Sequence, residues 1–341
     1  MDPLATRQLG RTSVKVTQLG LGGAPIGSMA VRVSEDDSLA TVHQGWEEGL
    51  RLFDTAPWYG RGLSEIRMGA GLRDFPRDQF VLSSKVGRWL KSPADRATFD
   101  TSPWVGGNPF AIVFDYTYDG IMRSYEQSLQ RLGVATYDLA VIHDLDFWHH
   151  ISEPKVAAYE AQLMASGWRA LDELKRAGLI KAIGAGINEK VMLDRWMDRV
   201  ELDFFLVALP YTLLEQDVLD HEFPRLADLG IGVIIGAVFA SGILATGPID
   251  GSRYAYAEAS SEIRDKTAKI AAVCARHDVP LPAAAMQFPL GHPSVAAVIP
   301  GAFTANQVKA NVATFRHDIP ADMWAELKHE GLLHPEAPVP G

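Results

Sequence analysis

Short apolar runs alternate with amphipathic stretches along almost the whole chain. Eight runs have strand character: QLGLGGA (18–24), GLRLFDT (49–55), FVLSSKV (80–86), YDLAVIHD (137–144), IKAIGAG (180–186), FFLVAL (204–209), GVIIGAV (232–238) and AAVIPG (296–301). Most are nearly continuously apolar, the pattern of strands covered on both faces. Most intervals carry a helical repeat instead, as in DDSLATVHQGWEEG, IMRSYEQSLQRLG, WRALDELKRAG and SEIRDKTAKIAAVCARH, and several close on a glycine that acts as a helix stop. Eight strand–helix units predict an α/β fold, a single (β/α)8 TIM barrel over 1–341, in preference to a doubly wound sheet. RQLGRTSVKV, ahead of the first run, predicts a short N-terminal hairpin. Long βα loops are expected over the C-terminal mouth.

One such loop stands out. The interval between the third strand and its helix is long, from Val86 to about Asp119, and Trp89, Trp104, Phe110, Phe114, Tyr116 and Tyr118 lie in it among prolines and glycines. Long loops of this kind are functional or mobile, so this one is a candidate lid, with a small satellite aromatic core as the bland reading. The tail from His334 (HPEAPVPG) reads as a Pro-rich extension and a candidate for disorder over 334–341.

Composition narrows the class. The 341 residues exceed the usual single domain, but barrels with insertions reach this size. A net charge of −10 and the absence of a Lys/Arg cluster disfavour nucleic acid and anionic membranes as partners, which leaves small molecules. Cys274 is the only cysteine, so no internal disulfide can form. It is expected to be a buried helix residue. Met1 to Gly10 shows no apolar signal segment, and the uncharged stretch Gly230 to Ile249 is too rich in glycine, with Pro248, to read as a membrane span. It reads as a buried strand and a loop, and the protein is expected to be cytoplasmic.

Four residues then acquire a common meaning. Asp54 and Tyr59 in LFDTAPWYG, Lys85 in FVLSSKVG and His143 in DLAVIHD each follow an apolar run and lie near the carboxyl end of a predicted strand. In a barrel those ends open onto one face. A tyrosine phenol, with an unperturbed pKa of about 10, is a poor proton carrier near neutrality. Lys85 is expected to stabilise the Tyr59 phenolate and lower its pKa, Asp54 to hold Lys85 charged and aimed, and His143 to orient a substrate oxygen. Singly these are an ion pair, a loop aromatic and a core histidine; jointly and in this order they are a proton-transfer site. The remaining step is hydride transfer, which no side chain performs, so the set implies a nicotinamide.

Rival motifs are weaker. GLGGAPIG has Pro25 where a dinucleotide fingerprint has its third glycine, and it reads as the first strand and turn. No tyrosine has Lys four residues later, which excludes the short-chain reductase arrangement. HDLDFWHH supplies three histidines and two aspartates, but adjacent histidines converge poorly on one ion, and no metal is expected. Asp144 reads as orienting the His143 loop or touching substrate, and His149 and His150 as exposed loop residues.

FDTAPWYGRGLSEIRMGAGL carries Asp-Thr-Ala, Tyr-Gly and Ser-Glu, and on these motifs the chain resembles the aldo-keto reductase superfamily from about Arg7 to Leu333. The resemblance implies that the family's catalytic Asp, Tyr, Lys and His fall on Asp54, Tyr59, Lys85 and His143. FDYTYDGIMRSYEQSLQRLG, VIHDLDF, YTLLEQ and FASGIL are similar, more narrowly, to the aldose and pyridoxal dehydrogenase branch, which includes L-fucose, D-threo-aldose and L-galactose dehydrogenases. Within that resemblance the cofactor positions fall on Asn188, Gly236, Ser241, Gly242, Leu244, Gly301, Ala302, Gln307 and Asn311. Gly186 and Ile187 replace the family's Ser-Asn, with Asn188 one place on; Ala208 replaces Gln, and Gly236 replaces the stacking tyrosine. Gly242 to Leu244 are expected to approach the pyrophosphate through backbone amides. Gly301, Ala302 and Gln307 stand where Lys, Ser and Arg hold the 2′-phosphate of NADP, so NAD is favoured and NADP is the alternative. Asn311 keeps the adenine contact, and Ala310 replaces the acid before it.

For substrate, polar His143, Asp144 and Asn188 combine with flat Trp58, Trp89, Phe147 and Trp148, the two kinds of surface a sugar uses. With the branch resemblance, the chain reads as an NAD(P)-dependent oxidoreductase acting on the anomeric carbon of a free aldose, with a lactone as product. The alternatives are an NADPH-dependent reductase of a bulkier ketone, aldehyde or pyridoxal-type substrate, and a non-catalytic nucleotide-binding regulatory subunit on the same fold.

Overall fold

In the computed structural model, which describes residues 1–341, all eight predicted runs form strands. Leu21–Gly22, Leu52–Asp54, Val81–Val86, Leu139–Ile142, Ala182–Ile187, Phe204–Val207, Gly232–Ile235 and Val295–Val298 lie side by side in chain order. Every pair between neighbours is parallel. The last strand returns to the first: Gly20 N–H donates to the Val298 carbonyl at 2.9 Å, and Gly22 N–H to that of Pro300 at 3.0 Å. Parallel bridges join Leu19 to Val298 and Gly22 to Gly301, so the sheet closes as a (β/α)8 barrel.

The expected hairpin is Thr6–Gln8 paired antiparallel with Lys15–Thr17. Its Leu9, Val14 and Val16 pack against Leu52, Leu139 and Phe204 from the amino ends of the strands. The hairpin therefore plugs the floor of the barrel and leaves the other end as the mouth. Outside the ring, a much larger cluster joins the outward strand residues to the helices.

The four helical repeats fold as Glu35–Glu47, Tyr118–Leu132, Trp168–Arg176 and Ser261–Arg276. Ser34, Thr117 and Ser260 cap three of them by accepting from a first-turn backbone N–H. Cys274 is buried in the last, as expected. Gly230 to Ile249 holds the strand Gly232–Ile235, a turn and the short helix Ile243–Thr246, and no helix is long and apolar enough to cross a membrane.

The stretch after the third barrel strand is more ordered than a loop. Arg88–Lys91 pairs antiparallel with Ala111–Phe114. Gly87 makes the corner with φ 90°, and a Cβ there would meet the Tyr116 ring at 2.3 Å, so only glycine fits. The intervening residues are stitched down: Asn108 N–H donates to the Gly60 carbonyl at 2.9 Å, Arg61 donates to the Phe110 carbonyl at 3.0 Å, and Trp104 bridges Met29. The candidate lid is a wall in this structure. The tail also differs from a free extension: His334 bonds Gln216 and Asp220, Ala337 is buried, and Pro338 and Val339 pack on Gly291.

Candidate active site

Strand alternation sets the floor of the site. Leu52 faces the barrel interior, Phe53 faces the helices, and Asp54 turns inward again. Leu82 and Val86 face out, so Ser83 and Lys85 point in; Leu139 and Val141 face in, and His143 follows them. Three polar residues thus emerge at the mouth, each two places after an inward-facing position.

Lys85 Nζ donates to both Asp54 oxygens, at 2.8 and 3.0 Å, and to the Thr55 carbonyl at 2.9 Å. Ser83 Oγ adds a bond to Asp54 at 2.7 Å. Lys85 Nζ also lies 4.7 Å from the centroid of the Tyr59 ring, and Tyr59 meets His143 edge-on with centroids 5.9 Å apart. The four predicted residues therefore converge. The electrostatics differ from expectation. Burial pushes the Tyr59 phenol well above its ordinary range, the Asp54 and Asp144 carboxylates push it further, and the cation opposing them is Arg88. Lys85 itself is engaged by Asp54 and the Thr55 carbonyl. Tyr59 stands in the structure as a proton donor.

Arg88 was invisible in the sequence as a site residue. Its guanidinium, almost wholly buried, donates to Asp144 Oδ2 at 3.0 Å. Asp144 in turn lies 3.1 Å from His143 Nε2 and 3.5 Å from His149 Nε2, and accepts from Asn188 Nδ2 at 3.3 Å. Desolvation raises the Asp144 carboxyl, but His143, Arg88 and His149 outweigh it and hold it far below the usual range. His143 goes the other way: burial and Arg88 lower it to about 3 against the pull of Asp144. A neutral imidazole next to a carboxylate keeps its proton on Nε2, so His143 is a fixed N–H donor at the mouth.

The neighbours of this cluster correct two expectations. His150 is buried, not exposed: it packs among Phe114, Tyr116 and Tyr159, 3.4 Å from the Tyr116 hydroxyl, which donates to the His143 carbonyl at 2.9 Å. His149 is half-buried against Asp146 and Asp144. Ligand atoms of Asp144, Asp146 and His149 lie within 4.8 Å of one another, yet Arg88, His143 and Asn188 already engage the two carboxylates.

Of the predicted aromatics, Trp58 stands by the site, edge-on to Trp104 at 5.6 Å. Trp104, fully buried, also lies 5.8 Å from Tyr59; the sequence placed it in the candidate lid and not among the substrate contacts. Trp89 turns away: on its strand it alternates with inward Arg88, and its indole bonds Asp115 under the Arg123 guanidinium. Phe147 packs into the outer core beneath Arg195. Trp148 is 44 % exposed on the short helix Phe147–His150, at the rim.

The predicted cofactor positions lie around strands five to eight. Asn188 is held by Asp144 and Asp146, which leaves its carbonyl oxygen as its open group. Gly236 and Gly301 leave the exits of strands seven and eight as bare backbone, and a Cβ on Gly301 would meet Pro25 at 2.5 Å, which rules out a lysine there. Ala302 and Leu244 are buried. Ser241 and Gly242 make a left-handed turn, φ 63° and 110°, and a Cβ on Gly242 meets nothing. Gln307 Oε1 accepts from Phe303 N–H at 2.7 Å at the start of helix Ala305–Phe315, on which Asn311 is half-buried. Bare backbone for a flat ring, an open turn and a capped helix start without acidic residues fit a dinucleotide.

Comparison with known proteins gives a consistent picture. The aldo/keto reductase family model matches residues 18–330. The chain is 40 % identical over 336 residues to pyridoxal 4-dehydrogenase from Microbacterium luteolum, covering 96 % of this chain and 97 % of that one. It is 37 % identical over 328 residues to D-threo-aldose 1-dehydrogenase from a Pseudomonas species, covering 93 % and 95 %. Among solved structures, the holo form of an aldo-keto reductase from Bacillus halodurans shares the fold, with a TM-score of 0.73 at 24 % identity over 97 % of both chains.

Proposed function

The chain belongs to the aldo/keto reductase family, as an NAD(P)-dependent oxidoreductase of the aldose and pyridoxal dehydrogenase branch, and on that premise we propose that it oxidises a free aldose at its anomeric carbon to the lactone, with NAD as the preferred cofactor. The observation that carries the reading is Asp144, an ionised, half-buried carboxylate beside the reacting groups, whose Oδ2 is taken by Arg88, His143 and His149 while Oδ1, bonded by Asn188 alone, keeps a lone pair for substrate. A carboxylate accepts hydrogen bonds from neighbouring hydroxyls, which a polyol has and a simple ketone lacks. Half-buried Trp58, backed by the Trp104 ring, supplies flat apolar surface next to Tyr59.

The roles of the side chains follow from their contacts. Bound NAD⁺ supplies the hydride acceptor. His143 Nε2–H, which rests against Asp144, would turn to hold the reacting oxygen once substrate is bound. Tyr59 Oη takes the hydroxyl proton in oxidation and returns it in reduction, while the carbon's hydrogen leaves as hydride and the C–O bond becomes C=O. Lys85 and Asp54, locked together, fix the floor beneath the Tyr59 ring. Asn188, Gly236, Ser241, Gly242, Leu244, Gly301, Ala302, Gln307 and Asn311 would line the nucleotide.

A second reading has its own support. The 40 % identical relative is named for pyridoxal, and pyridoxal closes in water to a cyclic hemiacetal, so its oxidation is the same chemistry on a flatter ring. A substrate panel decides. Pentoses, hexoses, 6-deoxyhexoses and pyridoxal are offered with NAD⁺ and NADP⁺, with product identified as lactone. Turnover of an aldose by NAD⁺ supports the first reading; turnover of pyridoxal alone ends it.

A further inference from the structure

The loop after the seventh barrel strand carries a feature that the chemistry above does not use. Arg253–Tyr254 and Ala257–Glu258 pair as a small antiparallel hairpin. Its two tip residues, Ala255 and Tyr256, both adopt left-handed backbone, φ 49° and 62°. Tips of this hand favour Asn or Gly, and a bulky aromatic is strained there. Surrounding contacts hold it: Tyr256 N–H donates to Ser241 Oγ at 2.9 Å, the Arg253 guanidinium donates to the Tyr256 carbonyl, and the Tyr254 hydroxyl bonds Glu215. Strain that surroundings enforce points to a use for the side chain.

The use is legible from where the ring goes. Tyr256 meets Trp148 edge-on, with centroids 6.2 Å apart at 64°. Trp148 follows the fourth strand and Tyr256 the seventh, three places apart in a ring of eight, so the two loops reach toward each other across the mouth. Both rings keep large open surfaces, 44 % for Trp148 and 41 % for Tyr256. Burial of its hydroxyl raises the Tyr256 phenol, and Tyr59 and Asp144 add to that, so the hydroxyl lies within electrostatic reach of both.

We propose that Tyr256 is a specificity-determining residue that, with Trp148, forms an aromatic arch over the mouth, sized to one sugar ring. The arch stacks on the C–H face of that ring and excludes a second one attached to it. Ser241, next to the Gly242 turn, pins the arch in place. The proposal rests on the aldose reading for the nature of the ring, but not for the geometry.

The test compares a monosaccharide with a reducing disaccharide built from it, in wild type, Tyr256→Gly and Tyr256→Phe. Glycine removes the ring and accepts the left-handed backbone, so Tm is expected to hold or rise. Its KM for the monosaccharide is expected to rise about tenfold with little change in kcat, and its kcat/KM for the disaccharide to approach that for the monosaccharide. Tyr256→Phe is expected to match wild type. Unchanged discrimination in Tyr256→Gly overturns the arch, as does a Phe variant as impaired as the Gly one. If wild type oxidises no aldose, the same comparison is made with pyridoxal and its 5′-phosphate. A gain for the larger compound in Tyr256→Gly then keeps the arch and removes the sugar, and no gain removes both.

Discussion

The Lys85 ammonium reaches both oxygens of the Asp54 carboxylate, and both side chains are almost wholly shut off from solvent. Such a pair is costly to break from one side, because the survivor is a buried charge with no partner. Lys85→Met is expected to lower stability by about 3 to 5 kcal/mol in urea unfolding. Asp54→Asn combined with Lys85→Met should recover much of it. A loss below about 1 kcal/mol for the single variant would mean that water reaches Asp54.

Tyr59→Phe keeps the ring against Lys85 and Trp104 but removes the proton carrier. Turnover is expected to fall by about 10²-fold or more with nucleotide affinity and Tm unchanged. Near-normal turnover in this variant would put the proton on another group.

The raised Tyr59 phenol sets the direction of the pH profile. Oxidation needs the phenolate, whose fraction grows with pH, so its rate should climb from neutral into alkaline solution. Reduction needs the phenol and should be flat until the same range and then decline. Arg88 opposes the rise, so Arg88→Met should move the oxidation profile to higher pH. His143, already near 3, adds no inflection around neutrality. An oxidation rate independent of pH above neutrality would contradict the assignment.

Cofactor choice is testable at one side chain. With no cation at Gly301, Ala302 or Gln307, kcat/KM is expected to favour NAD(H). Gln307→Arg should improve NADP(H) use by about tenfold or more, since a charge-assisted phosphate contact contributes about 1.5 to 3 kcal/mol. Wild-type preference for NADP(H) would place the phosphate on other residues, with exposed Lys309 or Arg316 the first to replace.

The barrel and the converging tetrad were readable because both depend on short-range regularities. Runs such as Phe204–Val207 are apolar on both faces, and Asp54, Lys85 and His143 each extend an alternation that their own strand establishes. What escaped depends on partners distant in sequence. Nothing near Arg88 announces that its strand pairs with Ala111–Phe114, and without that pairing Trp89 looks as well placed as Arg88, although alternation turns it away. His150 sits in a polar stretch that reads as exposed. A single helical turn capped by Asp146 rotates it under Tyr116. Tyr256 lies at a hairpin tip lacking the Gly or Asn that would have marked it.

The seam that closes the ring joins Leu19 and Gly22 to Val298 and Gly301, nearly the two extremes of the chain. During synthesis on a ribosome, the first seven strands emerge as an open sheet whose two edges have nothing to bond. Closure waits for the eighth strand, so a chain truncated before Val295 is expected to aggregate where the full chain does not.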